Sequence, residues 1–269
     1  MLSLWELSGA VFGIMAAGFI FATLRNYYSF VDALWGFCFS GLALLIGLTS
    51  TGDSQRKLLG LGILFIWGTR IGWHLAVRLF QHYPNEDSRY IAFKSEWGRG
   101  GNRARFHLKF LGFFGLQGLS ILGLIVPFVI VSQNTDSTWH TLETVGLAIS
   151  VFSIALESLA DHQLKSFKKV PSSRGHVCDQ GLWRYSRHPN YFFEWLHWIG
   201  IAIFASSSPH GMWAWIAPAL ISYLLLFLSG VPLAEAQSLK SKGDRYRDYQ
   251  ARTSVFIPWF PKNLKRTGP

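Results

Sequence analysis

An all-α membrane protein with seven crossing helices is the fold this sequence predicts, and three observations carry it. Half of the 269 residues are hydrophobic and only 15% are charged, against about 25% in an ordinary soluble domain. Uncharged runs recur at 8–24, 33–52, 58–69, 110–134, 144–156, 195–208 and 211–234. Several reach the ~20 residues needed to cross ~30 Å of hydrocarbon, and the shorter ones do so once a few flanking ionisable residues are admitted. Positive charge is also one-sided. With the N-terminus outside, segments 25–31, 81–109, 162–193 and 236–269 face inside and hold 21 of the 25 Lys and Arg, as the positive-inside rule requires.

The first run is too long for a signal peptide and lacks its basic start and small-residue cleavage site, so it is expected to stay as a helix. The second runs from inside to outside and places Asp32 near its inner end. It also holds Cys38; the other cysteine, Cys178, falls in a basic loop, so no disulfide between them is expected. The third span carries Arg70, His74 and Arg78, four apart on one face. The fifth ends inside with Glu157 and Asp161. The sixth starts inside with Glu194 and His197, and the seventh ends inside with Glu235. Ionisable residues on five spans are thus expected in the inner half of the bundle.

A charge inside a bilayer is costly, at least ~2.5 kcal/mol, and needs a partner or a wet cavity. The set points to a polar pocket opening inward. Snorkelling and structural ion pairs are the plainer alternative, most of all for Glu235 at its helix end. Asp32 has its own plain reading as an N-cap or an ion pair with Arg70 or Arg78, and His74 as a polar contact between helices.

Pro189 suits the first turn of a helix. The N–H groups and dipole at that end favour phosphate, with Arg184, Arg187 and His188 around it and Lys165, Lys168, Lys169 and Arg174 in the loop before. A basic loop resting on anionic lipid explains those charges equally well. It does not explain Asn190, Tyr191 and Glu194 within the next two turns. The net charge of +10 follows from orientation and does not imply nucleic acid. No GxGxxG, P-loop, CxxC or zinc spacing occurs, and no internal repeat.

"GLWRYSRHPNYFFEW" (181–195) resembles the C-terminal signature of the membrane steroid 5α-reductase family, in particular its bacterial reductase-like branch. "DRYRDYQARTSVFIPWFP" (244–261), "NYYSFVDALWG" (26–36) and "EDSRYIAFKSEWG" (86–98) resemble other parts of that family. The likeness covers most of the chain and is strongest from about 157 to 260. It implies NADPH entering from the cytosolic side and a 3-oxo-Δ4 steroid, or a similar lipid enone, entering among the first four spans. The chain is then one integral domain, with 8–132 as its substrate side, 137–239 as its cofactor side and 240–269 as a cytosolic tail.

By the resemblance, Asn190, Glu194 and Asp161 bind the cofactor and Lys168 contacts its phosphate. Arg174, Arg187, His188, Tyr191 and Glu235 are expected beside them, with Asp87, Arg89 and Tyr90 from the EDSRY stretch. Asp32 falls where the reductases carry a catalytic acid. A buried Asp held protonated can donate to an enolate oxygen, with Tyr28 one turn earlier as helper and His74 as second candidate. Two departures stand out: Phe193 occupies the place of a small Gly, and the third span has no Tyr. The RHPNY…E core also occurs in membrane methyltransferases that use S-adenosylmethionine, which gives a rival enzyme reading; a non-catalytic lipid-binding protein is a third. No metal, nucleic acid or obligate protein partner is expected, and the location is a bacterial inner membrane or endoplasmic reticulum with the site facing the cytosol.

Overall fold

A computed structural model describes residues 3–262. Among them all regular structure is helical, and the extended pairing is one isolated parallel bridge, Ser186 with Ser254. Six segments are long and apolar enough to cross a membrane: Leu4–Arg25, Phe30–Thr49, Ser54–Gln81, Arg103–Gln133, Thr141–Lys169 and Gly211–Lys242. The 195–208 run lies on a helix of 17 residues, Pro189–Ala205. At 1.5 Å per residue it is ~26 Å long, shorter than the other six. By internal contacts the chain divides into two units, 1–139 with 208–216, and 140–207 with 217–269.

The first unit contains α1 (Leu4–Arg25), α2 (Phe30–Thr49), α3 (Ser54–His82), α4 (Ser88–Trp97) and α5 (Arg103–Gln133). Local sequence explains where they begin and end. Ser3 and Glu6 form a capping box on α1. The side chains of Asp53, Asp87 and Asn102 accept the backbone N–H of Arg56, Arg89 and Arg105 at the starts of α3, α4 and α5, satisfying donors that a helix end leaves open. Asn26 ends α1 in the left-handed region, φ 49°, where Asn is tolerated.

Helices α2 and α3 touch at glycines: a Cβ on Gly36 would lie 2.6 Å from the Gly72 Cα. Without a hydrophobic drive between helices in lipid, such small-residue crossings let dispersion hold them together. Arg56, expected in an outer loop, is instead fully buried. Its guanidinium donates to the carbonyls of Asp136 and Thr138 and lies over Trp139, tying the start of α3 to the chain beyond α5.

The second unit contains α6 (Thr141–Lys169), α7 (Pro189–Ala205), α8 (Ile216–Tyr223), α9 (Val231–Lys242) and α10 (Asp244–Arg252). Helix α6 runs through Glu157 and Asp161, so Lys165, Lys168 and Lys169 ride on its last turns and not in a loop. The 211–234 run is not one straight helix. A π-helical turn at Leu224–Leu228 follows α8, and α9 restarts at Val231. Pro232 has no N–H to offer the Leu228 carbonyl, and its ring disfavours helical backbone just before it.

The close pair here is α6 with α7. A Cβ on Gly146 would meet the Phe204 nitrogen at 2.4 Å, and one on Gly200 the Gly146 carbonyl at 2.7 Å. Along this contact α6 presents Glu143, Gly146, Ser150, Ser153, Glu157 and Ala160, all buried, at the three-and-four spacing of one helix face.

Candidate functional site

In the second unit, Pro189 is the first residue of α7, as its sequence predicts. The next residue, Asn190, donates from Nδ2 to Asp161 Oδ1 at 3.1 Å, so the two are brought together across 29 positions. The other amide atom, Asn190 Oδ1, is buried without a hydrogen-bond partner. A buried polar atom left open normally marks a missing water or ligand. One turn on, the buried Glu194 accepts the Trp198 indole N–H at 2.9 Å. Ser150 and His197, both fully buried, share a hydrogen bond at 2.8 Å. Ser153 Oγ, also at zero exposure, has no partner. The helix pair therefore holds carboxylates that accept from neutral donors, beside an amide oxygen left open.

Arg187, His188 and Glu235 do something other than surround a phosphate. Glu235 is the centre of a lock. It accepts from Arg187 Nε at 3.0 Å, His188 Nε2 at 2.9 Å, the Tyr246 hydroxyl at 2.6 Å and the Gln250 side-chain amide. Arg187 Nη1 also donates to the carbonyls of Gln250 and Thr253. Its guanidinium thus ties the start of α7 to α9 and to the end of α10. Burial, then the bond to Glu235, pushes the Tyr246 phenol up, which suits a donor. Tyr191 stacks on His188, ring centroids 5.4 Å apart. Lys168 and Arg174 are exposed.

In the first unit, the EDSRY stretch folds onto Asp32. Arg89 Nη2 donates to Asp32 Oδ2 at 2.8 Å and the Tyr90 hydroxyl to Oδ1 at 2.6 Å. Arg89 also holds Asp87, Nε to Oδ1 at 3.1 Å, and Arg78 reaches the other Asp87 oxygen at 2.5 Å. Of the three residues expected at the cofactor, Arg89 and Tyr90 bond Asp32 and Asp87 shares Arg89 with it. Asp32 is not an N-cap, since Ser29 precedes α2, and its cation is Arg89 in place of Arg70 or Arg78. Both Asp32 oxygens are engaged, Oδ2 by Arg89 and Oδ1 by Tyr90.

Tyr90 is the hydroxyl in this cluster. Burial first, then the facing Asp32, hold its phenol well above the usual range, so it stays protonated. Burial alone would raise Asp87, but the Arg89 and Arg78 contacts outweigh it and hold its carboxyl below its ordinary 3.8. Tyr28 is turned elsewhere, its hydroxyl 3.4 Å from Thr23 Oγ1 and from His107 Nδ1, its ring stacked on Phe110. His74 is on an exposed face of α3.

Sequence reasoning missed Glu86. Its Oε1 accepts the backbone N–H groups of Tyr28 and Ser29, and Lys94 pairs with its other oxygen at 2.5 Å. A carboxylate from 57 residues away thus caps the start of α2, where the helix dipole favours negative charge. Nothing local to residue 86 signals this. The Asp87 cap was legible, as an Asp just before an apolar-periodic stretch.

The model of a family described as a protein of unknown function (DUF1295) matches residues 18–253. An uncharacterised protein of the fission yeast Schizosaccharomyces pombe is 24% identical over 253 residues, with 85% of this chain and 72% of its own length covered. No solved structure matches.

Proposed function

The chain belongs to the DUF1295 family, and we propose that it is a multi-pass membrane reductase that uses NADPH to saturate the double bond of a lipid enone, a 3-oxo-Δ4 steroid first among them. The observation that carries this reading is Asn190. Its side chain is pinned by Asp161, and its buried carbonyl oxygen is open at the start of α7. That oxygen suits an amide N–H or a ribose hydroxyl as donor. Exposed Lys168 and Arg174 offer positive charge for phosphate, while Arg187 and His188 are committed to Glu235. The residues thus fit the polar head of a nucleotide better than they fit its phosphates. When bound, the reduced nicotinamide supplies the hydride.

In the first unit the reading assigns carbonyl-oxygen stabilisation to the Asp32 cluster. A positioned donor of this kind is worth ~3 kcal/mol in oxyanion sites. Tyr90 donates its one hydroxyl proton to Asp32, which Arg89 holds in place, and serves the substrate oxygen by turning that proton away from Asp32. The finer topology belongs to the same proposal: α7 as a seventh crossing, N-terminus outside, C-terminus in the cytosol, with the membrane a bacterial inner membrane or endoplasmic reticulum. It is supported by the one-sided Lys and Arg. Reporter fusions at residue 137 and at the C-terminus then give opposite signals; matching signals overturn it.

The decisive experiment is NADPH oxidation by purified protein with progesterone or testosterone, with mass analysis for a gain of two hydrogens. Asp32→Asn is expected to lower turnover ~100-fold or more while NADPH still shifts the melting temperature. Asn190→Ala is expected to weaken NADPH first. Methyl transfer from S-adenosylmethionine with no NADPH oxidation replaces this reading by the methyltransferase one, and absence of both, with no nucleotide-induced melting shift, by a lipid-binding one.

A further inference from the structure

Beyond α10 the chain does not turn away. Residues 253–262 form a bent loop strapped to the 183–187 stretch of the same unit. Ser254 and Phe256 carbonyls accept from the Arg187 N–H and the Ser186 hydroxyl, and the Trp259 N–H donates to the Tyr185 carbonyl at 2.9 Å. The Lys262 N–H returns to the Arg252 carbonyl at 2.9 Å. Phe256 is buried against Phe192 and Trp195. Val255, Ile257, Trp259 and Phe260 are exposed, Trp259 at 71% and Phe260 at 76%.

Four large apolar side chains on a short, firmly bonded strap are not a mobile tail. Nor do they fill a gap in the core, since their own anchor, Phe256, already does that. A patch of this kind marks a partner. Two features identify it. Only Gly243 and α10 separate the strap from Lys242, the end of a candidate membrane span. Its surroundings are basic: Arg184, Arg252 and Lys262 flank the apolar face, and residues 236–262 hold six Lys and Arg against two Asp. Trp and Phe prefer the headgroup level of a bilayer, and Lys and Arg close to a span are drawn to anionic lipid.

We propose that the strap is a membrane-docking surface, with Val255, Ile257, Trp259 and Phe260 lying in the interface of a bilayer rich in anionic headgroups. Docking there also steadies the turn that begins α7, because the same strap holds Tyr185, Ser186 and Arg187 by hydrogen bonds. This stands independently of the reductase reading.

The test uses the full chain in vesicles, with Cys38→Ser and Cys178→Ser leaving no native thiol. An environment-sensitive dye is placed through Ile257→Cys, Trp259→Cys or, as control, Asp248→Cys on the exposed part of α10. Vesicles are pure phosphatidylcholine or a mixture with phosphatidylserine, with a nitroxide lipid labelled near the headgroup as quencher. The dye at 257 and 259 is expected to lose more than half its emission in the anionic vesicles and less in high salt or pure phosphatidylcholine, while 248 is little affected. Arg184→Glu with Lys262→Glu is expected to reduce the quenching selectively in anionic vesicles. Quenching at 257 and 259 no greater than at 248 overturns the proposal. So does disulfide formation between copies at 259 without lipid quenching, which gives the face to a second copy. Quenching blind to both phosphatidylserine and salt overturns the anionic preference.

Discussion

The Asp32 cluster of the first unit and the α6–α7 seam of the second handle their acids differently. In the first, Asp32 and Asp87 share Arg89, with Arg78 on the far side of Asp87: each negative charge meets a positive one. In the second, along α6 and α7, neutral groups do the work. An indole N–H meets Glu194, a side-chain amide meets Asp161, and a serine meets His197. Ion pairs fix geometry strongly and leave little for a newcomer to bind. Neutral donors hold an acid by single hydrogen bonds, which a ligand's own donors can join or replace. That contrast places ligand binding more naturally in the second unit and rigid positioning in the first.

The largest expected effect tests how closely the neutral seam is packed. Gly200→Val puts carbon 2.7 Å from the Gly146 carbonyl and the Ser150 nitrogen. Backbone cannot yield as a side chain can, so a loss of ~3 kcal/mol or more is expected. Gly9→Val, which meets nothing within 4 Å, is expected to be near neutral. Thermal unfolding in detergent compares them.

Next is the ion-pair side. Arg89→Met leaves two acids without their shared cation. A fully buried pair broken this way costs ~3–5 kcal/mol, and the partial exposure of Arg89 brings the expectation to about 2–3. Asp32→Asn combined with Arg89→Met is expected to cost less than the two singly, in a double-mutant cycle on the same melting assay. Trp198→Phe, which removes a neutral donor from Glu194, is expected to cost ~1–2 kcal/mol. If it costs as much as Arg89→Met, the contrast between the units fails.

The smallest effects sharpen the contrast. Ser150→Ala should cost ~1 kcal/mol. Acid titration should separate the units further. The Asp87 carboxyl is held below its ordinary 3.8, so its stabilisation is fully present above that pH and is lost as pH falls through the lower folded-state value. Asp87→Asn is expected to lower the melting temperature near neutrality, with the difference from the unaltered chain shrinking as pH falls below about 4.

What the sequence showed and what it hid divide along physical lines. Apolar runs and the Pro189 helix start were legible, because each rests on local periodicity or a short motif. The length of α6 past Asp161 was not, since charged residues end a hydropathy run without ending a helix. The π-helical turn before Pro232 was signalled by the proline but hidden inside an uninterrupted apolar run. The partners of Asp32, Glu86 and Glu235 lie tens of residues away in sequence, and no spacing rule finds them. Arg56 reads as an outer-loop charge, and only the carbonyls of Asp136 and Thr138 explain its burial. Trp198 is four residues after Glu194, a helical pair that was open to inspection and overlooked.

The carboxylate cap on α2 bears on the order in which the chain is made. Tyr28 and Ser29 leave the ribosome well before Glu86, which lies 57 residues beyond Ser29. At ~5–20 residues per second the wait is about 3–11 s. During it the first two helices enter the bilayer with the start of the second uncapped. Amide exchange on stalled chains should show this: Tyr28 and Ser29 exchange faster in a chain ending before residue 86 than in one continuing past α4. The hairpin of α1 and α2 is therefore provisional at birth, and the loop before α4, which carries Glu86, is the segment that makes it permanent.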